Sequence, residues 1–483
     1  MMAEAHDPTN RGASESADQL ERITRWAESN LGGKVTRIER QRRWRPVWRV
    51  SMENKGEARE YLFKADRVWA AHPYPHVHEM HLLNVLAAHD IPVPPQRGFC
   101  EDPPAIVMDW VRGGRDPGLV MEAVESASTM TPDRWSASLQ YMEQLAAMHK
   151  IPVPALEAIG CTRPEGPTEL ALQHYERFHA MYEEQGIVDP PMEFATRWLR
   201  RNVPEHRNRI SLVTGDCGQF LSEGPNLTCV IDVEIGHLGD HLHDLACFRG
   251  RHPVENMGDL PALFKHYEKA LGEPLDLGVI AYHTVAFLGV GYFGPLFALA
   301  RTDAGGDWVE AAVQCAFIGR RMLEALAEVE GIELDELTLP DPRPSPLEEM
   351  ALAKLAADLH RLPLSETFAS WQRGILASVP EYLLNQARYR RWAEDADLDD
   401  LEALLGERPA DLVDADNKLV AFIRSAGPEH DAALTRLMHR RLLRQCLIIA
   451  GPGAPEDHLA LMKVEPLLDG RMDRVGDPAL AFA

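Results

Sequence analysis

Apolar and polar residues alternate between residues 34 and 64, with the period of two expected of half-buried β-strands. A helical repeat of leucines follows this alternation, and a proline-rich run ends the helix. We therefore predict a small, mostly antiparallel lobe over residues 18–112, preceded by a flexible tail of residues 1–17. The predicted elements are strands at residues 34–38, 47–50, 61–64 and 105–108 and a helix at residues 76–89.

Helical spacing dominates the next part of the chain and predicts a larger lobe over residues 113–338. Two short apolar runs, at residues 210–214 and 229–233, predict strands within it, and the turn signal at residues 223–226 predicts a hairpin. The almost wholly apolar stretch at residues 279–300 is long enough for a membrane span. Its glycines, histidine and proline favour a buried core helix instead.

Proline occupies every second position of the segment 339–346, which predicts a stiff, extended linker and a domain boundary. Residues 347–483 then return to helical spacing. We expect them to form an all-helical carboxy-terminal domain that folds separately, because such a linker permits few contacts across it.

Composition limits the classes of partner. The chain has 483 residues, enough for two or three domains, and its formal charge of −24 disfavours binding to nucleic acid or an anionic membrane. The first residues lack the apolar segment of a secretory signal. The seven cysteines show no paired spacing, which is typical of a reducing compartment and disfavours structural zinc. We therefore predict a cytoplasmic protein.

Two aspartates in the larger lobe carry the candidate chemistry. Asp216 follows the first predicted strand on a loop, and Asp232 comes at the end of the second strand. Phosphoryl transfer needs one carboxylate that orients the attacking hydroxyl and accepts its proton. It also needs a second carboxylate that holds Mg²⁺ against the phosphates with a neutral oxygen ligand. Asp216 and Asp232 can fill these roles, with Gln219 supplying the amide oxygen.

The sequence around these aspartates resembles the aminoglycoside phosphotransferase family, including its choline-kinase-like and hydroxyacyl-CoA-kinase-like branches. The resemblance covers roughly residues 20–335 and implies an α+β, two-lobed protein-kinase-like fold that uses ATP and Mg²⁺ to phosphorylate a small-molecule hydroxyl. It implies Asp216 as catalytic base and Asp232 as principal magnesium ligand. The matching motifs are Gly215-Asp216, Ile231-Asp232-Val233-Glu234, and Gly239-Asp240 with Asp244-Leu245-Ala246, in which Asp240 and Asp244 would brace the catalytic loop.

The resemblance also implies a phosphate-binding lysine in the first lobe and a helical glutamate that holds it. Lys64 ends a predicted strand and Glu79 lies within the following predicted helix, so both fit. Met108 and Trp110 occupy the position of the hinge between the lobes, where backbone groups of the family meet the adenine.

Three departures from the family's pattern bear on activity. Thr214 stands where histidine is usual. The catalytic loop is about two residues shorter, which removes up to ~7 Å of reach. Either the loop takes a different path or Gln219 is not a ligand. The turn expected to cover the phosphates has no glycine between residues 39 and 46. Arg43 and its neighbours can bind phosphate in its place, or the turn is a basic surface hairpin.

Other side chains near the motifs have a less specific pattern. In the family, the region of residues 169–201 helps to form the acceptor pocket, and here it contains several aromatic residues. Three histidines that are close in sequence suggest a metal site, but exposed or helix-capping positions are the favoured interpretation. The aromatic residues are Tyr175, Phe178, Tyr182 and Trp198. The three histidines are His237, His241 and His243.

Three hypotheses about function stay open. The first is a kinase for the hydroxyl of a metabolite or antibiotic-like acceptor, and the second is a hydroxyacyl-CoA kinase of a catabolic pathway. The third is a catalytically inactive kinase fold that binds a nucleotide or a partner; the short loop and the glycine-free turn favour it. The retained residues Lys64, Glu79, Asp216 and Asp232 oppose it. The acceptor, the choice between ATP and GTP, the oligomeric state and the role of residues 347–483 do not follow from the sequence.

Overall fold

An antiparallel sheet of five strands, in the order β1-β2-β3-β5-β4, forms the amino-terminal lobe. The computed structural model describes residues 17–41, 45–66, 72–114, 130–301, 308–365 and 367–474. The predicted strands and helix of this lobe are confirmed. Its elements are α1 (Ala17–Leu31), β1 (Lys34–Arg40), β2 (Val47–Asn54), β3 (Glu57–Ala65), α2 (Val77–Ala88), β4 (Gln96–Glu101) and β5 (Pro104–Asp109).

Strand register determines where Lys64 lies. Lys64 is near the end of the central strand β3, opposite Val47 of β2 and Ile106 of β5. Successive side chains of a strand point to opposite faces, so its neighbour Phe63 enters the core with Trp48 while Lys64 faces the other way. The amine of Lys64 is thereby directed toward α2 and the second lobe.

Helix α1 packs on the Phe63 face of the sheet and was not predicted. Ile23 and Ala27, one turn apart, join the same core as Phe63 and follow helical spacing. The predicted tail therefore ends where this helix begins, at residue 17. Residues 1–16 lie outside the described residues.

The second lobe is mainly helical, as predicted, with two small sheets. The turn predicted at residues 223–226 connects a hairpin, but the first arm of that hairpin is β7 and not the strand expected at residues 210–214. That strand, β6, pairs with β9 instead, and Gly215 and Gly218 have positive φ angles between β6 and β7. The elements are α3 (Pro132–Met148), α4 (Val153–Glu157), α5 (Pro167–Glu184), α6 (Pro190–Arg201), β6 (Ser211–Val213), β7 (Phe220–Glu223), β8 (Asn226–Val230), β9 (His237–Gly239), α7 (Leu242–Arg251), α8 (Leu260–Leu271), α9 (Leu277–Ala300) and α10 (Trp308–Glu330).

Helix α9 contains the long apolar stretch. Within the described residues it is the one helix long and apolar enough to cross a membrane, and 72% of its most apolar stretch is buried inside the protein. It packs against α5, α7 and α10. This burial agrees with the interpretation of the stretch as a core helix.

The described part of residues 347–483 is helical, as predicted. Met438 of α14 and Leu419 of α13 share one hydrophobic core with Trp198 of α6 and Met322 of α10. This shared core does not favour a separately folding unit, because the two parts bury apolar surface against each other. The boundary at residues 339–346 stays a prediction. The helices are α11 (Pro346–Arg361), α12 (Thr367–Leu405), α13 (Leu412–Ser425) and α14 (Asp431–Ala450).

Candidate active site

Three carboxylates surround the amine of Lys64 where the two lobes meet. The Nζ atom donates to Oε1 of Glu79 at 2.8 Å and to Oδ1 of Asp232 at 2.6 Å, and Oε2 of Glu234 lies 3.6 Å away. Lys64 is 9% exposed and Glu79 is 2% exposed, so each charge depends on its partners for compensation. The structure thus brings Lys64 and Glu79 together as predicted and adds two acidic groups.

Two histidines at the start of helix α2 contact backbone carbonyl groups of both lobes beside this cluster. A ring nitrogen of His76 lies 2.9 Å from the carbonyl oxygen of Lys64, and one of His78 lies 2.7 Å from that of Gly236. Glu79 is in the first turn of the helix, where the helix dipole stabilises a negative charge. These contacts fix the position of Glu79 relative to both lobes.

Asp232 has a strained backbone. Its φ is +63°, in the left-handed region that residues other than glycine rarely adopt. The strand predicted at residues 229–233 therefore ends at Val230. Such strain costs on the order of 1–3 kcal/mol and is typical of sites that must aim a side chain. Here it directs the carboxylate of Asp232 to Lys64.

The basic turn is only partly a surface feature. The guanidinium of Arg45 donates to the carboxylate of Glu234 and is 5% exposed. At this position the surface-hairpin interpretation is wrong, because Arg45 belongs to the acidic cluster. Arg43, with its neighbours at residues 42 and 44, lies outside the described residues, so its role in phosphate binding stays a prediction.

The loop that carries Asp216 is anchored by Asp244. The carboxylate of Asp244 accepts hydrogen bonds from the backbone N–H of Thr214 at 2.8 Å, its hydroxyl at 2.9 Å and the N–H of Gly215 at 3.1 Å. It also contacts His149 at 3.0 Å. Burial opposes ionisation, but these hydrogen bonds, led by His149, hold the pKa of Asp244 below its usual value. Thr214 thus retains a bracing contact at the usual histidine position.

Two glycines determine the path of the shortened loop. Gly215 has φ +78° and Gly218 has φ +96°. A Cβ at Gly215 would lie 2.9 Å from Ile235, and one at Gly218 would lie 2.5 Å from Met257. The resulting loop returns the side chain of Gln219 to Asp216.

Both carboxylate oxygens of Asp216 are in contact with donors. Arg251 donates to Oδ1, and the amide nitrogen of Gln219 donates to Oδ2. Burial raises the pKa of Asp216; the Arg251 guanidinium opposes this shift, and the nearby charge of Asp232 adds to it. A raised pKa makes this carboxylate a better acceptor for a hydroxyl proton.

The donor set fits a magnesium ion. The amide oxygen of Gln219 is buried and accepts no hydrogen bond from the described residues. Among the described residues, Glu79, Asp232 and Glu234 form a group in which one carboxylate oxygen from each residue lies within 4.8 Å of the others. Carboxylates with one amide oxygen are the ligands that Mg²⁺ prefers, and the ammonium of Lys64 already lies among them as a cation.

A model of the phosphotransferase enzyme family matches residues 35–288, more than half of the chain. The chain belongs to this family. The match spans both lobes of the fold and ends within α9. The resemblance read from the three motifs is therefore confirmed, and so is the two-lobed α+β fold with a helical carboxy-terminal part.

Individual relatives of this phosphotransferase are distant. The human acyl-CoA dehydrogenase family member 11 is 25% identical over 179 residues, which is 35% of this chain and 22% of that protein's length. The chain thus spans about a fifth of the relative. Among solved structures, a putative aminoglycoside phosphotransferase from Ralstonia eutropha is 19% identical, with 62% of this chain and 95% of that chain covered and a TM-score of 0.46. A macrolide 2′-phosphotransferase from Brachybacterium faecium is 19% identical, with 60% and 97% covered and a TM-score of 0.42.

Met108 and Trp110 lie where the first lobe of the phosphotransferase ends. Met108 is buried in the main core, and the backbone N–H of Trp110 donates to the carbonyl oxygen of Glu60 at 3.0 Å. The guanidinium of Arg49 lies 4.7 Å from the Trp110 ring centroid. Contact of these residues with adenine stays a prediction.

The aromatic residues proposed for the acceptor region are buried. Tyr175, Phe178, Tyr182 and Trp198 belong to the core shared with α9 and stabilise the helices of this region, and Tyr182 also lines an open pocket. The rings of Tyr175, Phe178 and Tyr182 pack against Phe293, and the ring of Trp198 packs against Tyr282.

The interpretation of the three histidines as exposed or helix-capping is wrong. His237, His241 and His243 are all buried, and the side chain of His241 makes no capping bond at the start of α7. His237 stacks on His174, with ring centroids 4.2 Å apart. Burial lowers the pKa of His237 to about 4 and that of His243 to about 3, so both rings are neutral at pH 7.

Two site residues were missed from the sequence. Arg251, at the end of α7, forms an ion pair with Asp216. Glu234 forms ion pairs with both Lys64 and Arg45. Glu234 was part of a recognised motif and could have been assigned from its spacing to Asp232. No local motif indicates Arg251, because only the path of α7 brings it to the loop.

Proposed function

We propose that this phosphotransferase moves the γ-phosphoryl group of ATP onto a hydroxyl group of a small molecule. The proposal rests on two charged groups of the site, the ammonium of Lys64, which can bind phosphate, and the carboxylate of Asp216, which can accept a proton. Lys64 is held by Glu79 and Asp232, and Asp216 lies in the adjoining loop beside Gln219. Lys64 would bind the phosphates, and Asp216 would receive the acceptor.

The reaction follows from these positions. The carboxylate of Asp216 accepts the proton of the acceptor hydroxyl as the hydroxyl oxygen bonds to the γ-phosphorus. The bond between that phosphorus and the oxygen bridging to ADP breaks, and ADP leaves with its electron pair. The products are ADP and a phosphate monoester, and the proton remains on Asp216 until solvent removes it. Burial, which raises the pKa of Asp216, supports this role.

Asp232, Gln219 and Glu234 would hold magnesium. When bound, the ion neutralises charge on the phosphate oxygens and orients them for transfer. The buried, unpartnered amide oxygen of Gln219 supports this assignment, and the same side chain steadies Asp216 through its amide nitrogen. We further propose that Met108 and Trp110 meet the adenine and that Arg43 covers the phosphates.

The compartment we propose is the reducing cytoplasm. All seven cysteines are buried and unpaired, so the fold is maintained without disulfides. A hydroxyacyl-CoA acceptor is the second candidate, and it is favoured by the 179-residue match to proteins named acyl-CoA dehydrogenase family member 11.

The experiment is an assay of ADP release with ATP and Mg²⁺ over a panel of acceptors. The panel contains a sugar, an amino alcohol, an aminoglycoside and a hydroxyacyl-CoA, with Asp216→Asn as the matched inactive control. We expect one acceptor class to raise ADP release above that with water alone, and the variant to lose the increase. ATP binding without release for every acceptor would support the inactive kinase fold instead.

A further inference from the structure

The contacts of Asp216 affect how well it can act as a base. Oδ1 is taken by the guanidinium of Arg251 and Oδ2 by the amide of Gln219. A carboxylate that receives a proton needs an oxygen within hydrogen-bond reach of the acceptor hydroxyl. Each oxygen has two lone pairs, so the hydroxyl can approach beside these donors, but release of the Arg251 charge from Oδ1 makes Asp216 a stronger base.

Arg251 has a second partner ready, which makes it the group that can move. Its Nη1 donates to a carboxylate oxygen of Glu255, one turn further along the chain. The Arg251 side chain is 12% exposed, and a buried charge without a partner is strongly unfavourable. Because Glu255 stays bound, the guanidinium remains compensated when Nη2 leaves Asp216.

The backbone at Arg251 is held on both sides, so movement is confined to the side chain. Buried Arg321 donates from Nη1 to the carbonyl oxygen of Gly250 at 2.6 Å and from Nη2 to that of His252. A cation at the last carbonyls of α7 is stabilised by the helix dipole. His252 is also paired with Glu465 at 2.7 Å. The backbone of Arg251 therefore stays in place, and its side chain remains long enough to contact Asp216.

In the proposed reaction, the transferring phosphoryl group comes close to the guanidinium of Arg251. During transfer, Asp216 contacts the acceptor oxygen, and that oxygen is bonded to the phosphorus. A guanidinium nitrogen in contact with Asp216 is thus within one side-chain movement of the phosphoryl oxygens. The guanidinium fork can bind two anions at once, one on each terminal nitrogen.

We propose that Arg251 is a further catalytic residue of this phosphotransferase. Its Nη2 moves from Asp216 to an oxygen of the transferring phosphoryl group, while Nη1 stays on Glu255. The movement takes the Arg251 charge away from Oδ1 of Asp216 as the carboxylate receives the proton, and it places that positive charge beside the group that is transferred. No covalent bond to Arg251 forms, and the inference rests on the proposed phosphoryl transfer.

The test measures ADP release from ATP and Mg²⁺, with water as the acceptor and with the most active acceptor of the panel. For Arg251→Ala we expect kcat to fall about 10²–10³-fold, as for loss of one donor to a developing oxyanion. The KM for ATP should change by less than about threefold, because the contact exists only during transfer. Added guanidinium ion should restore part of kcat in Arg251→Ala. Arg251→Lys, which keeps the charge, should retain more activity than alanine.

Arg441→Ala is the matched control, since Arg441 also forms a partly buried pair with an aspartate, Asp416, but lies in α14. Its kcat should stay near that of the parent. If Arg251→Ala keeps kcat within about threefold of the parent, the inference falls while the proposed function stands. The inference also falls if Arg251→Lys has no more activity than Arg251→Ala and added guanidinium ion restores none, although both variants have the melting temperature of the parent. A parent that releases no ADP with water or any acceptor overturns the proposed function, and the inference with it.

Discussion

Lys64 and Asp232 are 168 residues apart in the chain, and the Nζ of one lies 2.6 Å from Oδ1 of the other. This contact joins a strand of the first lobe to a strained loop of the second. The same amine holds Glu79, so one cation balances carboxylates from two lobes. The ammonium and a magnesium ion would therefore compete for the oxygen of Asp232.

Replacement of Lys64 by methionine tests this balance. We expect the affinity for ATP to fall roughly tenfold to a hundredfold, because a charge-assisted hydrogen bond to phosphate is lost. We also expect a lower melting temperature without metal, since clustered carboxylates lose their cation. Mg²⁺ should raise the melting temperature of Lys64→Met more than that of the parent. Calorimetry and thermal unfolding measure both effects.

Lys34→Met is the matched control, because Lys34 is exposed at the start of β1. It should leave affinity and melting temperature near the parent's. An equal response to Mg²⁺ in Lys64→Met and the parent would show that Lys64 and the metal do not share Asp232.

The family resemblance implied the pairing of Lys64 with Glu79, and the predicted strand and helix supplied the two residues that fit it. The strand fixes the face of Lys64, and the helix fixes that of Glu79. Arg45 and Arg251 could not be assigned in this way. Both reach the site through contacts between segments 189 and 35 residues apart, which no local pattern records.

Gln219 provides the second prediction. Removing its amide in Gln219→Leu should raise the Mg²⁺ concentration needed for half-maximal ATP binding by about 10–100-fold, the range known for disturbed metal sites. Calorimetric titration of ATP at several Mg²⁺ concentrations measures this without knowledge of the acceptor. Gln314→Leu, on α10, is the control. An unchanged Mg²⁺ requirement in Gln219→Leu would remove Gln219 from the metal site.

Buried histidines make stability depend on pH. The pKa of His237 is lowered to about 4 and that of His243 to about 3, chiefly by burial. Their pKa in the unfolded chain is about 6.5. Between pH 6.5 and 4 the unfolded chain binds protons that the folded protein does not, so the free energy of unfolding falls as pH falls. Above pH 6.5 this contribution is fully present.

Urea denaturation at pH 7, 6 and 5 measures the slope. Each histidine contributes up to about 1.4 kcal/mol per pH unit. His243→Phe should therefore show a shallower loss of stability toward acid than the parent, whatever its stability at pH 7. Identical slopes would mean that His243 is charged in the folded protein or is not buried.

The core shared by the second lobe and residues 347–483 could not be predicted from the sequence. The proline-rich segment indicated a boundary, and α11 beyond it does expose Leu347 and Met350. Yet α14 is buried against α6 and α10 through residues such as Met438. A periodic apolar face shows that a helix packs against something, but not which element covers it.

Met438→Ala tests whether residues 347–483 and the second lobe unfold together. Met438 is fully buried in the core that contains Trp198 of α6, so the substitution should cost about 2–5 kcal/mol. If the core is one cooperative unit, hydrogen exchange should accelerate in α6 as well as in α14. The exposed Leu355→Ala on α11 should change stability by less than about 0.5 kcal/mol and leave both helices protected. Faster exchange confined to α14 would instead support a carboxy-terminal domain that folds separately behind its linker.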